Sequence, residues 1–330
     1  MRVPTFLKEA NGAVWLNPAR KYARGTMLAP GPGLMPFTVP AKSGNNPGRS
    51  SIILLEGAQN AVTEIQGLTG LRGEEVTDVG DRMSCVITDP AYRRELMNRD
   101  ILVDHVFGDY QFPFVLSESI GLESQQSLSL QLLNNSTSGA GSFSMAAKGN
   151  KIESSEETAK LVDDFANQMR VRKTFCCPYW LTSDGAVSIA ASAANQRVFF
   201  TNVREWTLVL FYAMARIKTT GVAGDTTEGF TATIYDPGTQ RILTTQNQPV
   251  PRSLCSGTAQ KPYVLPWPII MLPNTQGWID FNNLVTDAAL EIFWTFHGVA
   301  VFDGQPIWNQ KEIDLSMPVT QDIPGARRGR

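Results

Sequence analysis

The chain contains an internal repeat, and this repeat restricts the fold more than any other feature of the sequence. Segment 86–90 (VITDP) recurs 147 residues later as 233–237 (TIYDP), and segment 113–116 (PFVL) recurs 149 residues later as 262–265 (PYVL). The second spacing continues without a gap through the pairs Leu130 and Ile279, Asn134 and Asn283, Met145 and Trp294, and Gly149 and Gly298. A register kept over such a length predicts two tandem copies of one fold.

Upstream of these segments the two copies match by pattern only. Segment 52–54 (IIL) is matched with 198–200 (VFF), and segment 36–39 (PFTV) with 178–181 (PYWL). These matches extend the expected repeat towards the start of each copy.

Each copy has the residue pattern of β structure. Residues 128–132 (LSLQL) alternate between apolar and polar side chains, as a strand with one buried face does. The Asp-Pro pairs at 89–90 and 236–237 favour turns directly after β-branched runs. In the second copy, strands are expected near 179–182, 187–191, 196–200, 207–218, 230–235, 242–245, 263–271, 277–282 and 291–302. Many short strands at this density are typical of a β-sandwich, most naturally of the jelly-roll type.

One helix is expected between the copies. Ser154 and Glu157 fit a capping box, and Leu161, Phe165 and Met169 fall on one apolar stripe at helical spacing. The segments at the two ends of the chain are rich in Pro, Gly and Arg and lack any periodicity. We expect them to be extended arms that lie on neighbouring subunits, because such segments cannot build a core of their own.

The sequence therefore predicts an all-β chain of two tandem β-sandwich or jelly-roll domains that are joined by one α-helix and carry extended N- and C-terminal arms. The predicted limits are 1–34 for the N-terminal arm, 35–150 for the first sandwich, 151–173 for the linker helix, 174–303 for the second sandwich and 304–330 for the C-terminal arm.

Charge and hydropathy exclude some function classes. The chain has 29 Lys and Arg against 31 Asp and Glu, so no global positive field is available to hold nucleic acid as a main partner. The first nine residues lack the apolar stretch of a secretory signal. The most apolar run, 207–215, is far shorter than the roughly 20 residues that a membrane-spanning helix needs. We therefore expect no transmembrane segment.

The residues that most often carry catalysis or bind metals are few and scattered. The four cysteines are Cys85, Cys176, Cys177 and Cys255. Together with the two histidines, His105 and His297, they show no spacing typical of a zinc site. We interpret the cysteines as structural thiols, with disulfide pairing left open, and both histidines as strand residues at an edge or partly buried. We expect no catalytic residue, no cofactor and no metal site, and hence no enzyme.

Three further clusters are interpreted as structural. Four acidic residues lie close together, namely Glu74, Glu75, Asp78 and Asp81, but without the alternate spacing of a calcium loop. Gly31 and Gly33 follow no strand and open no helix, so a phosphate-binding loop is not indicated. The terminal cluster of Arg327, Arg328 and Arg330 is interpreted as a solvated or subunit-bound tail, and a contact with nucleic acid or an acidic neighbour stays open.

Tryptophans raise the alternative of a carbohydrate platform. Six of them fall within or near the strand patterns: Trp180, Trp206, Trp267, Trp278, Trp294 and Trp308. Most occupy apolar strand faces, where packing in a core or interface is the simpler explanation. Trp267, between Pro266 and Pro268, is expected to be the most exposed.

The second copy resembles a family of virion structural proteins from tailed bacteriophages. The resemblance covers residues 176–303 and rests on Asp236-Pro237 with Arg241, the run 262–268 (PYVLPWP), Pro273-Asn274, the run 279–284 (IDFNNL) and His297-Gly298. The first copy lacks the Leu-Pro-x-Pro run and has Leu-Ser-Glu-Ser at 116–119 instead. The resemblance implies a β-sandwich subunit of the phage head or its attachments, without catalytic residues.

The function expected from the sequence is therefore a non-enzymatic structural protein of a phage particle, either a capsid shell subunit or a capsid-associated decoration subunit. It would assemble through its sandwich faces and arms as a homo-oligomer, a trimer or higher, with other virion proteins, in the host cytoplasm. Two alternatives stay open: the double jelly-roll major capsid protein of a membrane-containing virus, and a glycan- or receptor-binding fibre or neck protein.

Overall fold

The described part of the chain is built almost entirely of β-strands. This computed structural model describes residues 23–28, 37–56, 61–72, 83–89, 94–109, 111–122, 126–136, 139–153, 174–183, 187–219, 229–243 and 248–303. Within these ranges the strands form four five-stranded sheets, and all of their pairings are antiparallel.

The first half of the chain forms two of these sheets. Its strands are β1 (Ala23–Leu28), β2 (Phe37–Val39), β3 (Gly48–Glu56), β4 (Ala61–Arg72), β5 (Met83–Asp89), β6 (Arg94–Glu95), β7 (Ile101–Leu102), β8 (Phe114–Leu122), β9 (Ser127–Asn134) and β10 (Gly141–Glu153). One sheet has the order β1-β10-β4-β8, with β2 also beside β10. The other has the order β3-β9-β5-β6, with β7 also beside β5.

The second half forms the other two sheets. Its strands are β11 (Thr174–Thr182), β12 (Val187–Ile189), β13 (Gln196–Thr201), β14 (Thr207–Thr219), β15 (Phe230–Asp236), β16 (Arg241–Ile242), β17 (Val250–Pro251), β18 (Tyr263–Met271), β19 (Gln276–Asn283) and β20 (Leu290–Asp303). The sheet orders are β11-β20-β14-β18, with β12 beside β20, and β13-β19-β15-β16, with β17 beside β15.

Both halves have one strand order, because β1 to β10 correspond one by one to β11 to β20. The correspondence includes an irregularity. Residues 116–119 of β8 have no partner in the register with β4, and residues 265–268 of β18 have none in the register with β14. We call these segments the β8 bulge and the β18 bulge.

The register also tests the upstream matches of the repeat. The match of 52–54 with 198–200 is confirmed at its first two positions, which pair with corresponding positions of β9 and β19, whereas the third, Leu54, has no partner on β9. The match of 36–39 with 178–181 is wrong. The first of these segments contains β2, whose counterpart is β12, while the second lies in β11, whose counterpart is β1. A shared Pro-aromatic dipeptide produced the false match, whereas the pairing partner on β10 or β20 decides the correspondence.

Each half encloses an apolar core between its two sheets. In β15, burial alternates with a period of two from Phe230 to Asp236, as it must for a strand with one face on a core. The ring of Phe230 lies 5.1 Å from that of Phe281 and 6.2 Å from that of Trp294. Each large apolar side chain buried in this way stabilises the fold by about 1.5–3 kcal/mol.

One asparagine closes the end of the central strand in each half. Asn134 Oδ1 accepts a hydrogen bond from Ser136 N–H at 2.9 Å, and Asn283 Oδ1 accepts one from Val285 N–H at 2.8 Å. Both amides also donate to backbone carbonyls of neighbouring loops. Both side chains are buried, and these bonds satisfy polar groups that would otherwise be costly to bury.

The predicted fold class is wrong in its joining helix and in its N-terminal arm, whereas the described residues are all-β apart from short helical turns, as predicted. The α-helix of the described residues, α1 (Val103–Val106), lies inside the first half, and among these residues no helix is long and apolar enough to cross a membrane. Residues 151–153, expected to begin the linker helix, are instead the end of β10 and pair with β1 and β4. The rest of that predicted helix, 154–173, lies outside the described residues.

The N-terminal arm is corrected in the same way. Strand β1 falls inside the segment 1–34 and pairs with β10 along its whole length. Pairing there satisfies the backbone N–H and C=O groups of β10, which would otherwise form an open sheet edge. Residues 1–22 and 304–330, including the predicted C-terminal arm, lie outside the described residues, and the domain limits stay predictions.

Removal of residues 1–30 is expected to lower the thermal unfolding midpoint by several degrees, because it deletes β1 and exposes the edge of β10. Each backbone hydrogen bond lost contributes about 1 kcal/mol. Removal of residues 1–22 keeps the ladder and is the matched control. Differential scanning calorimetry of both truncated proteins checks this, and equal midpoints for the two would contradict the role of β1.

Candidate functional site

The two halves contact each other through the outer face of one sheet of the second half. In β11, β14 and β20, alternate side chains enter the core of the second half, and several of the remaining ones, among them Trp180, Thr295 and His297, contact the first half. Trp180, Tyr212, Thr295 and His297 are the central residues of this outer face, and all four are buried. The outer face is therefore an internal contact surface rather than a solvated one.

Backbone hydrogen bonds also cross between the halves. Trp180 N–H donates to the carbonyl of Leu96 at 3.0 Å, and Asn98 N–H donates to the carbonyl of Trp180 at 3.2 Å. The Asn98 side chain extends this pairing, because its Nδ2 donates to Thr182 O at 2.9 Å and its Oδ1 accepts from Thr182 N–H at 3.0 Å. These directional bonds fix one half relative to the other.

His297 lies at the centre of this contact. Its ring is packed among those of Trp180 at 4.4 Å, Phe114 at 4.8 Å and Tyr212 at 5.9 Å. Its Nε2 accepts a hydrogen bond from Ser117 N–H at 3.1 Å, and the Ser117 hydroxyl donates to the carbonyl of Gly298 at 2.6 Å. Burial lowers the pKa of His297 to about 3, and the Tyr179 backbone, which favours the charged form, offsets only part of this.

His105 occupies the second buried polar position of the contact. Its Nδ1 lies 2.8 Å from Thr295 Oγ1, 190 residues away in the chain. Burial, with a smaller effect of the Arg252 charge, lowers its pKa to about 3. Next to it, Asp104 forms an ion pair with Arg216 of the second half. This side of the contact is therefore polar, whereas the side around His297 is aromatic.

The structure corrects both expectations for the histidines' positions. His297 lies in β20, a central strand of its sheet, and is fully buried rather than at an edge. His105 lies in α1 rather than in a strand. The hydrogen bonds of each histidine join the two halves.

The stability of the protein is expected to fall between pH 7 and pH 5. The folded-state pKa of both histidines is below the ordinary value of 6.5, so the stability they contribute is present above pH 6.5 and is lost as the pH falls towards 3. Between pH 7 and pH 5 we expect the free energy of unfolding to fall by about 2 kcal/mol for each histidine. Urea unfolding at both pH values measures it. A double variant, His105→Gln with His297→Gln, should show a much flatter dependence, and an unchanged dependence would exclude these histidines as the cause.

The cysteines are thiols in the described residues. Cys85 and Cys255 are buried and Cys177 is half-buried, and each of the three carries a thiol rather than a disulfide; the side chain of Cys176 lies outside the description. Burial raises the pKa of the Cys85 thiol far above its usual value, which makes it a poor nucleophile. No group of three or more His, Cys, Asp or Glu side chains gathers within the described ranges. The acidic cluster at 74–81, Gly31 and Gly33, and the terminal arginines all fall outside those ranges.

A cleft of about 490 Å³ opens at the junction of the halves. Its lining carries charges of both signs, from Arg99 and Lys218 on one hand and Asp100 and Glu291 on the other. Mixed charge of this kind does not select one class of ligand.

The tryptophans divide between core and surface. Trp294 is buried in the second core and Trp180 at the contact between the halves. Trp278 is half-buried, and its ring is stacked on Tyr235 at 4.9 Å and covered by the Arg197 guanidinium at 3.9 Å, so it offers no free face to a sugar. Trp267 is 76% exposed, which confirms the expectation for this residue. Trp308 lies outside the described residues.

Exposed apolar side chains are concentrated along the edge strand β18. Val264, Trp267 and Ile270 project from it, and Leu272 follows directly after it. The β18 bulge places Trp267 between two prolines, which donate no backbone hydrogen bonds. Sequence analysis predicted the exposed tryptophan but not this surface. The sequence difference between the copies at this position, Leu-Ser-Glu-Ser in the first and Leu-Pro-Trp-Pro in the second, could have indicated this surface.

Comparison with known proteins gives only distant likenesses. No protein-family model and no curated protein matches the chain. A chain of the Sulfolobus Turreted Icosahedral Virus structure matches with a TM-score of 0.36 and 10% identity, over 90% of this chain and 94% of that one. PNGF-II matches with a TM-score of 0.30 and 10% identity, over 82% and 66%. The tandem CBM22-1–CBM22-2 domains of Paenibacillus barcinonensis Xyn10C match with a TM-score of 0.21 and 8% identity, over 86% and 98%. These values are too low to transfer a function.

Proposed function

We propose that the chain is a non-enzymatic structural subunit of a viral particle. More specifically, it is a capsid shell or capsid-associated subunit of a tailed bacteriophage. It assembles in the host cytoplasm with copies of itself and with other virion proteins, and it resides in the virion.

The observation that carries this proposal is the row of exposed apolar side chains along the edge strand β18, in a protein whose two halves are fixed together. On β18, Trp267 is 76% exposed and lies among exposed aliphatic side chains. Exposed apolar patches of this kind mark surfaces that another protein covers. Because hydrogen bonds and aromatic packing fix the two halves together, the unit has the stiffness that a repeating assembly requires.

The environment of the histidines supports a non-enzymatic role. A general base needs a pKa near the working pH and access to a substrate. His105 and His297 are fully buried, their pKa values are lowered to about 3, and each already makes a hydrogen bond across the contact between the halves. Both are therefore assigned to structure.

A glycan- or receptor-binding fibre is the second candidate, and the exposed indole of Trp267 is the observation that favours it. Against it, Trp278 is sandwiched by its neighbours and does not extend Trp267 into a row of open rings. The other alternative, the double jelly-roll major capsid protein of a membrane-containing virus, is also a structural subunit, but of a different kind of particle.

Sedimentation velocity and negative-stain electron microscopy of the purified full chain test the proposal. We expect a concentration-dependent shift from single chains to discrete oligomers. A chain that remains monomeric at every concentration and in the presence of its particle would contradict the structural role. Binding to a glycan array without any self-association would select the second candidate.

A further inference from the structure

Strand β13 lies at the edge of its sheet, and the described residues leave its outer edge open. Within the part of the chain that the structure describes, β13 pairs with β19 alone. A strand in this position presents a row of backbone N–H and C=O groups on which another strand can pair. Natural proteins block such edges with bulges, prolines or a covering segment.

Other edge strands of this protein are protected in these ways. Strand β18 contains two prolines, which donate no backbone hydrogen bond. Strand β11 is capped by backbone hydrogen bonds from residues 96–98 of the first half. Strand β3, the counterpart of β13, has a register shift after Ile53 that interrupts its pairing with β9. By contrast, β13 contains no proline and keeps a continuous register with β19 over its whole length.

Both ends of β13 are held in place within the chain. Before the strand, Asn195 N–H donates to Asn282 Oδ1 at 2.7 Å. After it, the buried Asn202 donates from Nδ2 to the carbonyls of Met271 and Leu272, at 3.1 Å each. The strand is therefore ordered before a partner arrives, so that pairing costs little conformational entropy.

The outer face of β13 ends an aromatic row that crosses the sheet. Trp278 of β19 lies directly opposite Tyr235 of β15 on one side and Phe199 of β13 on the other. The rings of Tyr235 and Trp278 are stacked at 4.9 Å, whereas Phe199, at the end of the row, is 41% exposed. Aromatic pairs on neighbouring strands stabilise a sheet, so another aromatic ring beside Phe199 would extend the row favourably.

The charge on β13 is neutralised within its own chain. Arg197 donates from Nε and Nη2 to the two carboxylate oxygens of Asp280, at 2.8 Å each, and its guanidinium lies 3.9 Å from the ring centre of Trp278. A second strand of the same sequence can therefore approach without meeting an uncompensated like charge.

We propose that β13 pairs antiparallel with β13 of a second copy of this chain, with Phe199 opposite Phe199 of that copy. The strands β13, β19, β15 and β16 of each copy then join in one sheet of eight strands. This inference rests on the proposed function, because it names a contact between copies in the particle. The contact is two-fold and closes on itself, so a larger assembly uses a further surface, and β18, in the other sheet, stays open for it.

Side-chain direction restricts the register of this pairing. Directly opposite residues of antiparallel strands point to the same face, so the outward Phe199 can only meet Arg197, Phe199 or Thr201 of the second copy. The side chains of Arg197 and Thr201 are already engaged within their own chain. Phe199 opposite itself continues the aromatic row in a straight line and places the half-buried Val198 opposite Phe200 on the core side.

Self-crosslinking of Phe199→Cys tests the register. Opposite Cα atoms in an antiparallel pair lie about 4.5–5.5 Å apart, which a disulfide can span. Under mild oxidation we expect a dimer linked through position 199, identified by mass spectrometry of the linked peptide. The controls are the parent protein and Val115→Cys, at a position of similar exposure in the first half, and neither should crosslink. Failure of Phe199→Cys to form this linkage, or linkage through the native cysteines alone, would overturn the contact.

Phe199→Lys separates this inference from the proposed function. It sets like charges opposite each other at the two-fold axis, so we expect at least a tenfold weakening of dimer formation by sedimentation velocity. The thermal midpoint of the dilute protein should not change, because the side chain is partly exposed. Val115→Lys is the matched control and should associate as the parent protein does. If Phe199→Lys also associates normally, the strand pairing is wrong while the structural role stands. If the parent protein never associates, the structural role itself fails.

Amide hydrogen exchange shows whether the backbone takes part. Exchange slows where an N–H group enters a stable hydrogen bond. In the parent protein we expect slower exchange in peptide 196–201 as the concentration rises, and no such change in Phe199→Lys. Association of the parent protein without slower exchange in this peptide would mean that another surface carries the contact, and the strand pairing would be rejected.

Discussion

Trp180→Ala is expected to lower the free energy of unfolding by about 3–5 kcal/mol, the usual cost of deleting a fully buried tryptophan. Trp180 belongs to the second half, yet its side chain completes the core of the first half and contacts Phe114 and His297. The cavity left by the indole therefore weakens the contact between the two halves rather than one half alone. We expect two separate unfolding transitions in calorimetry where the parent protein shows one.

Trp278→Ala is the matched control for this variant. It removes the same side chain from the outer face of β19, where the ring is only half-buried. A much smaller loss is expected there. Equal losses for the two variants, with a single transition in each, would contradict the role of Trp180 in joining the halves.

Gly298→Ala is expected to destabilise the protein by about 3 kcal/mol, the upper range for overpacking. A Cβ at this position would lie 2.0 Å from the carbonyl oxygen of Val209 and 2.6 Å from Cα of Leu210. These atoms belong to the backbone of β14 and cannot move aside as a side-chain end would. To relieve the clash, β20 would have to move away from β14, and this movement would displace the Gly298 carbonyl from the Ser117 hydroxyl that donates to it.

Gly121→Ala is the control for the glycine, because a Cβ there meets no atom of the described part of the chain within 4 Å. We expect its urea midpoint to stay within error of the parent protein. A Gly298→Ala protein as stable as Gly121→Ala would show that β14 and β20 are not held as closely as the structure indicates.

The repeat made the strands predictable to a large extent. The alternating patterns in β9 and β15 and the Asp-Pro turn after β15 follow from local residue preferences. In that turn, Asp236 Oδ1 accepts a hydrogen bond from Gly238 N–H at 2.9 Å. Such features are short-range, so the sequence alone contains the information needed to predict them.

The errors arose where distant pairing decides the structure. Strand β1 has little periodicity of its own and is ordered by its pairing with β10, more than a hundred residues later. His297 was expected in a strand, either at an edge or partly buried. In fact β20 is buried on both faces from Trp294 to Ala300, and such strands show apolar residues on both sides. α1 is too short for a periodic signal.

The contact between the halves could not be read from either copy alone. It depends on differences between the copies, such as His105 against Leu254 and Ser117 against Pro266. The role of these differences follows only from the fold, in which His105 and Ser117 are buried whereas Leu254 and Pro266 are exposed.

The copy number of the chain in purified particles tests the central claim most directly. Quantitative mass spectrometry of extensively washed virions, against a labelled standard of the full chain, gives this number. We predict that the chain remains with the particle, in a number that matches a symmetric shell or a ring attached to it. A chain that is abundant in infected cells but absent from washed particles would contradict the proposal that it is a structural subunit of the virion.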